Sequence, residues 1–477
     1  MASSSTASTP RARAVIIALA CAGLPFALLQ TAVVPALPTL QRELGASTAW
    51  TAWTVTGFLV VAAVSTPLLA RLGDEHGRAR VLLVTLGVFL GGCIGAALAW
   101  DIWSLIAFRA VQGVSGAVFP LAFAIIKEQV TPRLVGLGMG LIASIGGVGG
   151  ALGLLLGGVI LEYLSWRWLF GAAALVTAVA ALAVRGLVST SGSRAKARID
   201  VLGAILLSSG LAVLLVTLTK GPDFGWASGR TLGLICAALG LLAVWVLVER
   251  HVDEPLVDVR MLVGRTVLFT NIASMVAGFG MFATFVVIPQ LVETPRGLAA
   301  DVAALVDYGF NGTPTTTGLL IVPASAALVL ASLLAGSLGQ RVPAARLFVG
   351  GMVVLGAGTA LLALWHTSEW QVAAAMGLFG VGIGSVLSLA PRLITEAVRS
   401  EELAVATGMN AVLRMVGHVL GGQAAAAILA SSTIAETSVP TSDAFTIVFW
   451  LSAAAALAAA GAATFMTPRR RAVFLLG

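Results

Sequence analysis

Two arginines, Arg109 and Arg414, lie inside long hydrophobic runs, and neither run contains an aspartate or glutamate. A guanidinium in hydrocarbon costs from roughly 3 to more than 10 kcal/mol, so it marks a bundle interior or a water-filled pathway. Around Arg414 the polar and small residues recur at helical spacing: Asn410, Arg414, Gly417, His418 and Gly421 form one stripe. Arg414 and His418 are four apart and share a face. His418 is the one deeply placed side chain that titrates in the neutral range. A lone helix histidine more commonly packs or hydrogen-bonds, so proton handling and simple packing both stand as readings of it. All 21 acidic residues fall in loops or at the ends of apolar runs. No Walker-type phosphate loop, metal-ligand spacing, cofactor fingerprint or nucleophile constellation is present, so neither an enzyme nor a cofactor is expected.

The elements that position these residues follow from composition. Mean hydropathy is +1.01, 58% of residues are hydrophobic and 10% are charged, values that exclude a soluble globule of 477 residues. A bilayer-crossing helix needs about 20 apolar residues. That rule predicts fourteen spans, at 14–37, 53–70, 81–99, 103–126, 136–160, 168–187, 201–219, 231–248, 267–292, 317–338, 345–364, 371–394, 404–430 and 444–466. Spans 4, 9 and 10 carry Pro120, Pro289 and Pro323, whose freed carbonyls neighbouring helices can satisfy. The first run follows Arg11 and Arg13 as a secretory signal would, but it continues past signal length and thirteen spans follow.

Orientation follows from basic residues. With both termini cytoplasmic, the inner side receives 21 lysines and arginines and the outer side 5, the two intramembrane arginines completing the 28. Nine tryptophans, at 50, 53, 100, 103, 166, 168, 226, 365 and 370, fall at outer boundaries, as an aromatic belt requires. The net charge of +7 then reflects topology and anionic lipid, and nucleic acid is not expected as a partner. Cys21, Cys93 and Cys236 fall within spans and read as small packing residues. Arginine outnumbers lysine 25 to 3, the usage of a GC-rich bacterial genome.

The first and last six spans look like parallel repeats. Leu72-Gly73 and Ala79-Arg80 recur as Leu338-Gly339 and Ala345-Arg346, and Gly138-Met139 with Gly147 recur as Gly408-Met409 with Gly417. Repeats of this kind hold a substrate near mid-bilayer and rock about it. The expected organisation is a disordered cytoplasmic segment 1–13, a six-helix bundle 14–187, linkers with two inserted helices 188–266, a second six-helix bundle 267–466 and a basic tail 467–477. The long outer loop 293–315, with the sequon Asn311-Gly312-Thr313, carries no assigned role.

Ala70–Leu83 (ARLGDEHGRARVLL) resembles motif A of the major facilitator superfamily, G-x-L-A-D-x-x-G-R-[KR]-x-x-x-L, with Asp74, Gly77, Arg78 and Leu83 in place. Its glycines Gly73 and Gly77 let spans 2 and 3 approach, and Asp74 is placed to cap a helix or pair with arginine. Leu28–Ser47, Arg109-Ala110-Val111-Gln112-Gly113, Gly149-x-x-x-Gly153-Leu154-x-x-Gly157-Gly158 and Trp166-Arg167-Trp168-Leu169-Phe170 resemble motifs of the fourteen-helix drug:proton antiporter branch. Leu154 replaces that branch's proline, so span 5 is expected to bend less. Gln30 stands where the branch carries an acid. A neutral amide there accepts a hydrogen bond from Arg109, estimated to lie at similar depth, but cannot titrate.

The resemblance implies an all-α integral membrane protein of the major facilitator fold that expels small amphipathic drugs from a bacterial cell by proton-driven alternating access. Its partners would be a small-molecule substrate, protons and the bilayer, and its working unit a monomer. The residues implied in translocation and coupling are Gln30, Arg109, Gln112, Asn410, Arg414 and His418. The implied cytoplasmic switch is Gly73, Asp74, Gly77, Arg78 and Arg80, and the antiporter-like strip is Gly149, Gly153, Gly157 and Gly158. With two arginines and no buried acid, the cavity is expected to favour neutral or anionic compounds. An organic-anion uniporter or proton symporter, and a non-transporting membrane sensor, remain the alternatives.

Overall fold

Among the described residues fourteen helices are long and apolar enough to cross a bilayer, matching the hydropathy pattern span for span. The computed structural model describes residues 9–46, 48–189, 200–252, 255–294, 308–339, 341–399, 402–434 and 439–466. Residues 1–8 of the N-terminal segment, 190–199 of the basic linker, 295–307 of the outer loop and the tail 467–477 lie outside the described residues. The spanning helices are α1 (Thr9–Ala32), α2 (Thr48–His76), α3 (Arg78–Ala97), α4 (Ile102–Gln129), α5 (Pro132–Tyr163), α6 (Arg167–Leu187) and α7 (Val201–Phe224). They continue as α8 (Gly229–Glu249), α9 (Arg265–Glu293), α10 (Pro314–Leu338), α11 (Ala344–Leu364), α12 (Glu369–Ala397), α13 (Leu403–Ser431) and α14 (Ser442–Ala463). Among the described residues no strand forms, and a single bridge pairs Thr433 with Pro440.

Several helices start where a polar side chain answers the free N–H groups of the first turn. Asp101 accepts from the Ser104 backbone N–H, and the Ser104 hydroxyl accepts from Asp101 in return. Those bonds hold the Asp101 carboxyl below the usual carboxylate range. Thr313 with Thr316 and Ser368 with Gln371 cap α10 and α12 in the same way.

Two elements depart from the hydropathy reading. The first apolar run does not stay helical to Leu37: α1 ends at Ala32, and a turn leads into a short helix, Leu37–Glu43. Pro35 and Pro38, which offer no backbone N–H, punctuate that stretch. Span 4 is interrupted by a 3-10 segment, Val114–Ala117. Pro120 cannot donate to the carbonyl four residues back, and the chain tightens in the turn before it.

Helices α1–α6 pack on one another, as do α9–α14, giving two six-helix halves. The halves meet along α2 with α13 and along α5 with α10. In the sequence repeat α2 corresponds to α10 and α5 to α13, so each junction uses one member of each pair. The inserted helix α7 lies against α2 and α13, and α8 packs on α7. An even number of crossings puts both ends of the bundle on one side. On the opposite side Trp50, Trp100, Trp103, Trp168, Trp226, Trp365 and Trp370 are exposed at helix ends, as a belt requires. Trp53 is only half-buried, and Trp166 departs further. It is buried, and its indole N–H donates to Glu43 at 2.8 Å, fastening the short helix after α1 to the start of α6. The cysteines also divide: Cys93 packs inside, whereas Cys21 and Cys236 are exposed on their helices, so only one of the three is a packing residue.

Candidate functional site

A cavity lies between the two halves, with room for only a few water molecules. From the first half it is lined by Gln30 of α1, Phe119, Pro120 and Phe123 of α4, and Ala143 and Gly146 of α5. From the second half it takes Met281 of α9, Leu387 and Pro391 of α12, and the α13 stripe Thr407, Asn410, Arg414 and His418. No aspartate or glutamate is among the lining residues. The helical spacing of the stripe is the reason its members converge: positions 407, 410, 414 and 418 fall on one face of α13.

Within the cavity wall, the Gln30 side-chain N–H donates to Nδ1 of His418 at 3.3 Å, joining residues 388 positions apart and linking one half to the other. With Nδ1 accepting, the imidazole proton sits on Nε2. That Nε2 is buried and has no partner. The ring stacks on Phe282 of α9 with centroids 5.2 Å apart. Asn410 donates to Oδ1 of Asn271 and to the Ser274 hydroxyl, both at 2.9 Å, tying α13 to α9. Arg414 is half-buried at the cavity edge and makes no hydrogen bond or ion pair among the described residues. The cavity therefore carries a single fixed positive charge in a largely apolar wall.

Arg109 lies elsewhere. It is fully buried within the first half and does not line the cavity. Its Nε donates to the Thr54 carbonyl at 2.8 Å, Nη1 to Oε1 of Gln112 at 2.7 Å and Nη2 to the Leu29 carbonyl at 3.3 Å. The guanidinium also stands 4.2 Å from the Phe58 ring centroid. Gln112, equally buried, donates onward to the Gly92 carbonyl at 3.1 Å. The expected bond from Arg109 to Gln30 is not made. Arg109 reaches the carbonyl of the neighbouring Leu29, but Gln30 points from α1 toward α13. Of the six translocation and coupling candidates, the cavity thus gathers Gln30, Asn410, Arg414 and His418, and Arg109 and Gln112 stand apart from it.

At the termini side, Asp74 is buried and accepts from Arg78 Nε at 2.8 Å, while Arg78 Nη1 lies 3.6 Å from Glu128 of α4. The second Asp74 oxygen, Oδ2, is buried without a partner. Gly77 turns the chain with φ of 99°, a conformation glycine adopts freely. Gly73 packs on Leu121 of α4 and also lies against Arg78 at the start of α3. Arg80 is exposed. Along α5, Gly149, Gly153 and Gly157 face Ala27, Leu28 and Ala32 of α1, where any Cβ would collide with α1 backbone or side chains. Gly158 is buried on the same helix. Thr31 reinforces this contact by donating to the Gly150 carbonyl at 2.5 Å. The strip therefore joins two helices of one half.

Asn271, Ser274, Gly278 and Phe282 of α9 escaped the sequence reading. Their spacing of three, four and four is a polar and small stripe at helical period, weaker than the one on α13 because it holds no charge.

The Major Facilitator Superfamily profile matches residues 19–306 and 270–475. An uncharacterized MFS-type transporter of Mycobacterium tuberculosis is 30% identical over 403 residues, 82% of this chain, and the chain spans only 56% of that relative's length. The puromycin resistance protein of Streptomyces alboniger is 29% identical over 415 residues, 85% of this chain and 79% of its own. The crystal structure of the human organic anion transporter MFSD10 (TETRAN) shares the fold, with a TM-score of 0.63 and 16% identity over 95% of this chain and 99% of that one. A duplicated fourteen-span bundle whose halves are both covered by that profile belongs to the Major Facilitator Superfamily, beside relatives named for multidrug and antibiotic resistance.

Proposed function

We propose that this chain exports small amphipathic compounds, neutral or anionic, from the bacterial cytoplasm by alternating access, driven by the proton gradient. Both termini then face the cytoplasm and the protein works as a monomer in the inner membrane. One observation carries the reading: the Gln30–His418 bond crosses the central cavity from one half to the other and cannot survive their separation. Rocking of one half against the other is the motion that repeated bundles support. The present cavity is too small for a drug, so substrate entry requires that separation.

Gln30 does not titrate, so coupling runs through His418 or through an ionisable substrate. In proteoliposomes, His418→Ala is expected to abolish transport driven by a pH gradient while leaving counterflow of labelled substrate. Full gradient-driven transport in that variant would discard the histidine route. The neutral Gln30 also favours a second reading, uniport or proton symport of an organic anion; net movement against the proton gradient's predicted direction would select it.

The Asp74–Arg78–Glu128 cluster acts in this reading as the switch on the cytoplasmic side. Charge-assisted bonds of this kind are roughly twice as strong as neutral ones, so their loss shifts conformer populations more than folding. Asp74→Asn is expected to insert normally and to lower transport about tenfold, the effect of roughly 1.4 kcal/mol between conformers. Undiminished transport at equal expression would remove the switch from the mechanism.

A further inference from the structure

The cavity contains two hydrogen-bond donors with nothing to donate to. His418 Nε2 is buried and unpartnered, and its proton is placed there because Nδ1 is occupied by Gln30. The Arg414 guanidinium, one helical turn away on the same face, is likewise without a partner among the described residues. Their positions are linked through Gly278 of α9. A Cβ on that glycine would come within 3.0 Å of both Arg414 Cγ and His418 Cδ2, the carbon bonded to Nε2. Glycine at 278 thus lets α9 pack directly on the Arg414 backbone carbonyl and against both side chains, which holds the two residues side by side. An unsatisfied buried donor costs about 1–3 kcal/mol, so the Nε2–H of His418, beside the half-buried Arg414 cation, calls for an acceptor from outside the chain.

The acceptor's chemistry follows from what surrounds it. Arginine presents a planar fork that matches a carboxylate or a similar oxyanion. The absence of any lining acid removes competition for that fork and leaves nothing to pair with a cation. Phe26, Phe119, Phe123, Met281 and Met415 supply an aromatic and thioether wall for an apolar body. We infer that Arg414 and the Nε2–H of His418 form a seat for the anionic group of an aromatic carboxylate, with Gln30 as the positioning residue that fixes the imidazole. This rests on the export reading only for its direction. The donors are set in the resting protein, and the aromatic body enters only when the halves part.

The test uses purified full-length protein and three matched probes, 1-naphthoate, the neutral 1-naphthamide and the cation 1-naphthylmethylammonium, titrated by calorimetry at neutral pH. The expected result is binding of naphthoate at least tenfold tighter than of naphthamide, with the cation weakest. Arg414→Gln should bring naphthoate to within about twofold of naphthamide, and Arg414→Lys should keep part of the preference. His418→Phe, which keeps a ring against Phe282 but removes the donor, should cut the preference about threefold or more. The seat is overturned by equal affinities in the unmodified protein, by no naphthoate binding at about 1 mM, or by an unchanged preference in a folded Arg414→Gln. Should that variant not fold, the Lys and Phe variants decide: loss of preference in His418→Phe supports the seat, and full preference there sinks it. Gradient-driven movement of naphthamide in proteoliposomes is scored separately. Transport without charge preference removes the seat alone, and charge preference without transport removes the export reading alone.

Discussion

The two intramembrane arginines occupy opposite environments. In the first half, Arg109 is enclosed by neutral dipoles: two backbone carbonyls, the Gln112 amide and the face of Phe58 answer its charge. In the second half, Arg414 stands at the cavity with no partner among the described residues. The same residue type thus serves as mortar in one bundle and as an open ligand in the other. A desolvated cation in an apolar run signals that something answers it, but not whether protein or substrate does so.

This contrast is most exposed to failure at Arg109. Arg109→Ala would remove three buried hydrogen bonds from a charged donor and leave a cavity, so a loss of about 3 kcal/mol is expected, read as a fall in the detergent-solubilised protein's thermal midpoint. A midpoint unchanged by that substitution would mean that Arg109 is no structural keystone. Next in size is the packing that supports each region. On α13, a Cβ at Gly417 would overlap the Met275 carbonyl of α9, and at Gly153 of α5 it would overlap Leu28 and Thr31 of α1. Gly417→Ala and Gly153→Ala should each cost about 1–3 kcal/mol, since backbone on the opposing helix cannot yield as a flexible side chain would. If only one variant is destabilised, the two halves are not equivalent in how they hold their cavity-facing helix. The smallest effect has the opposite sign. Arg414→Gln removes an unpaired, partly desolvated charge and should raise the midpoint by about 1 kcal/mol of stability while it weakens anion recognition. A marked destabilisation would reveal a structural partner for Arg414.

Hydropathy alone located all fourteen helices, because a bilayer imposes one length and one composition on every crossing. It did not reveal that α1 stops at Ala32 or that α4 tightens before Pro120, since apolar character continues unchanged through both breaks. The α13 stripe was legible through its period. Its partner on α9 was faint without a charge. The Gln30–His418 contact lay out of reach, because nothing local couples residues 388 positions apart. Arg109's shell was hidden for a different reason: backbone carbonyls carry no residue type to recognise. Repeats also mislead in detail. Gly138 and Gly408 match in sequence, yet Gly138 faces Ile126 and Ile16 of its own half, whereas Gly408 faces Thr66 and Ala70 across the junction.

The clasp between Gln30 and His418 has an energetic scale that bears on the working cycle. A neutral hydrogen bond contributes about 0.5–1.5 kcal/mol, a bias of roughly two- to thirteenfold between held and released forms. An ionic lock in that place would hold one form far more firmly. A ligand that prefers the released form by about tenfold therefore offsets this one bond.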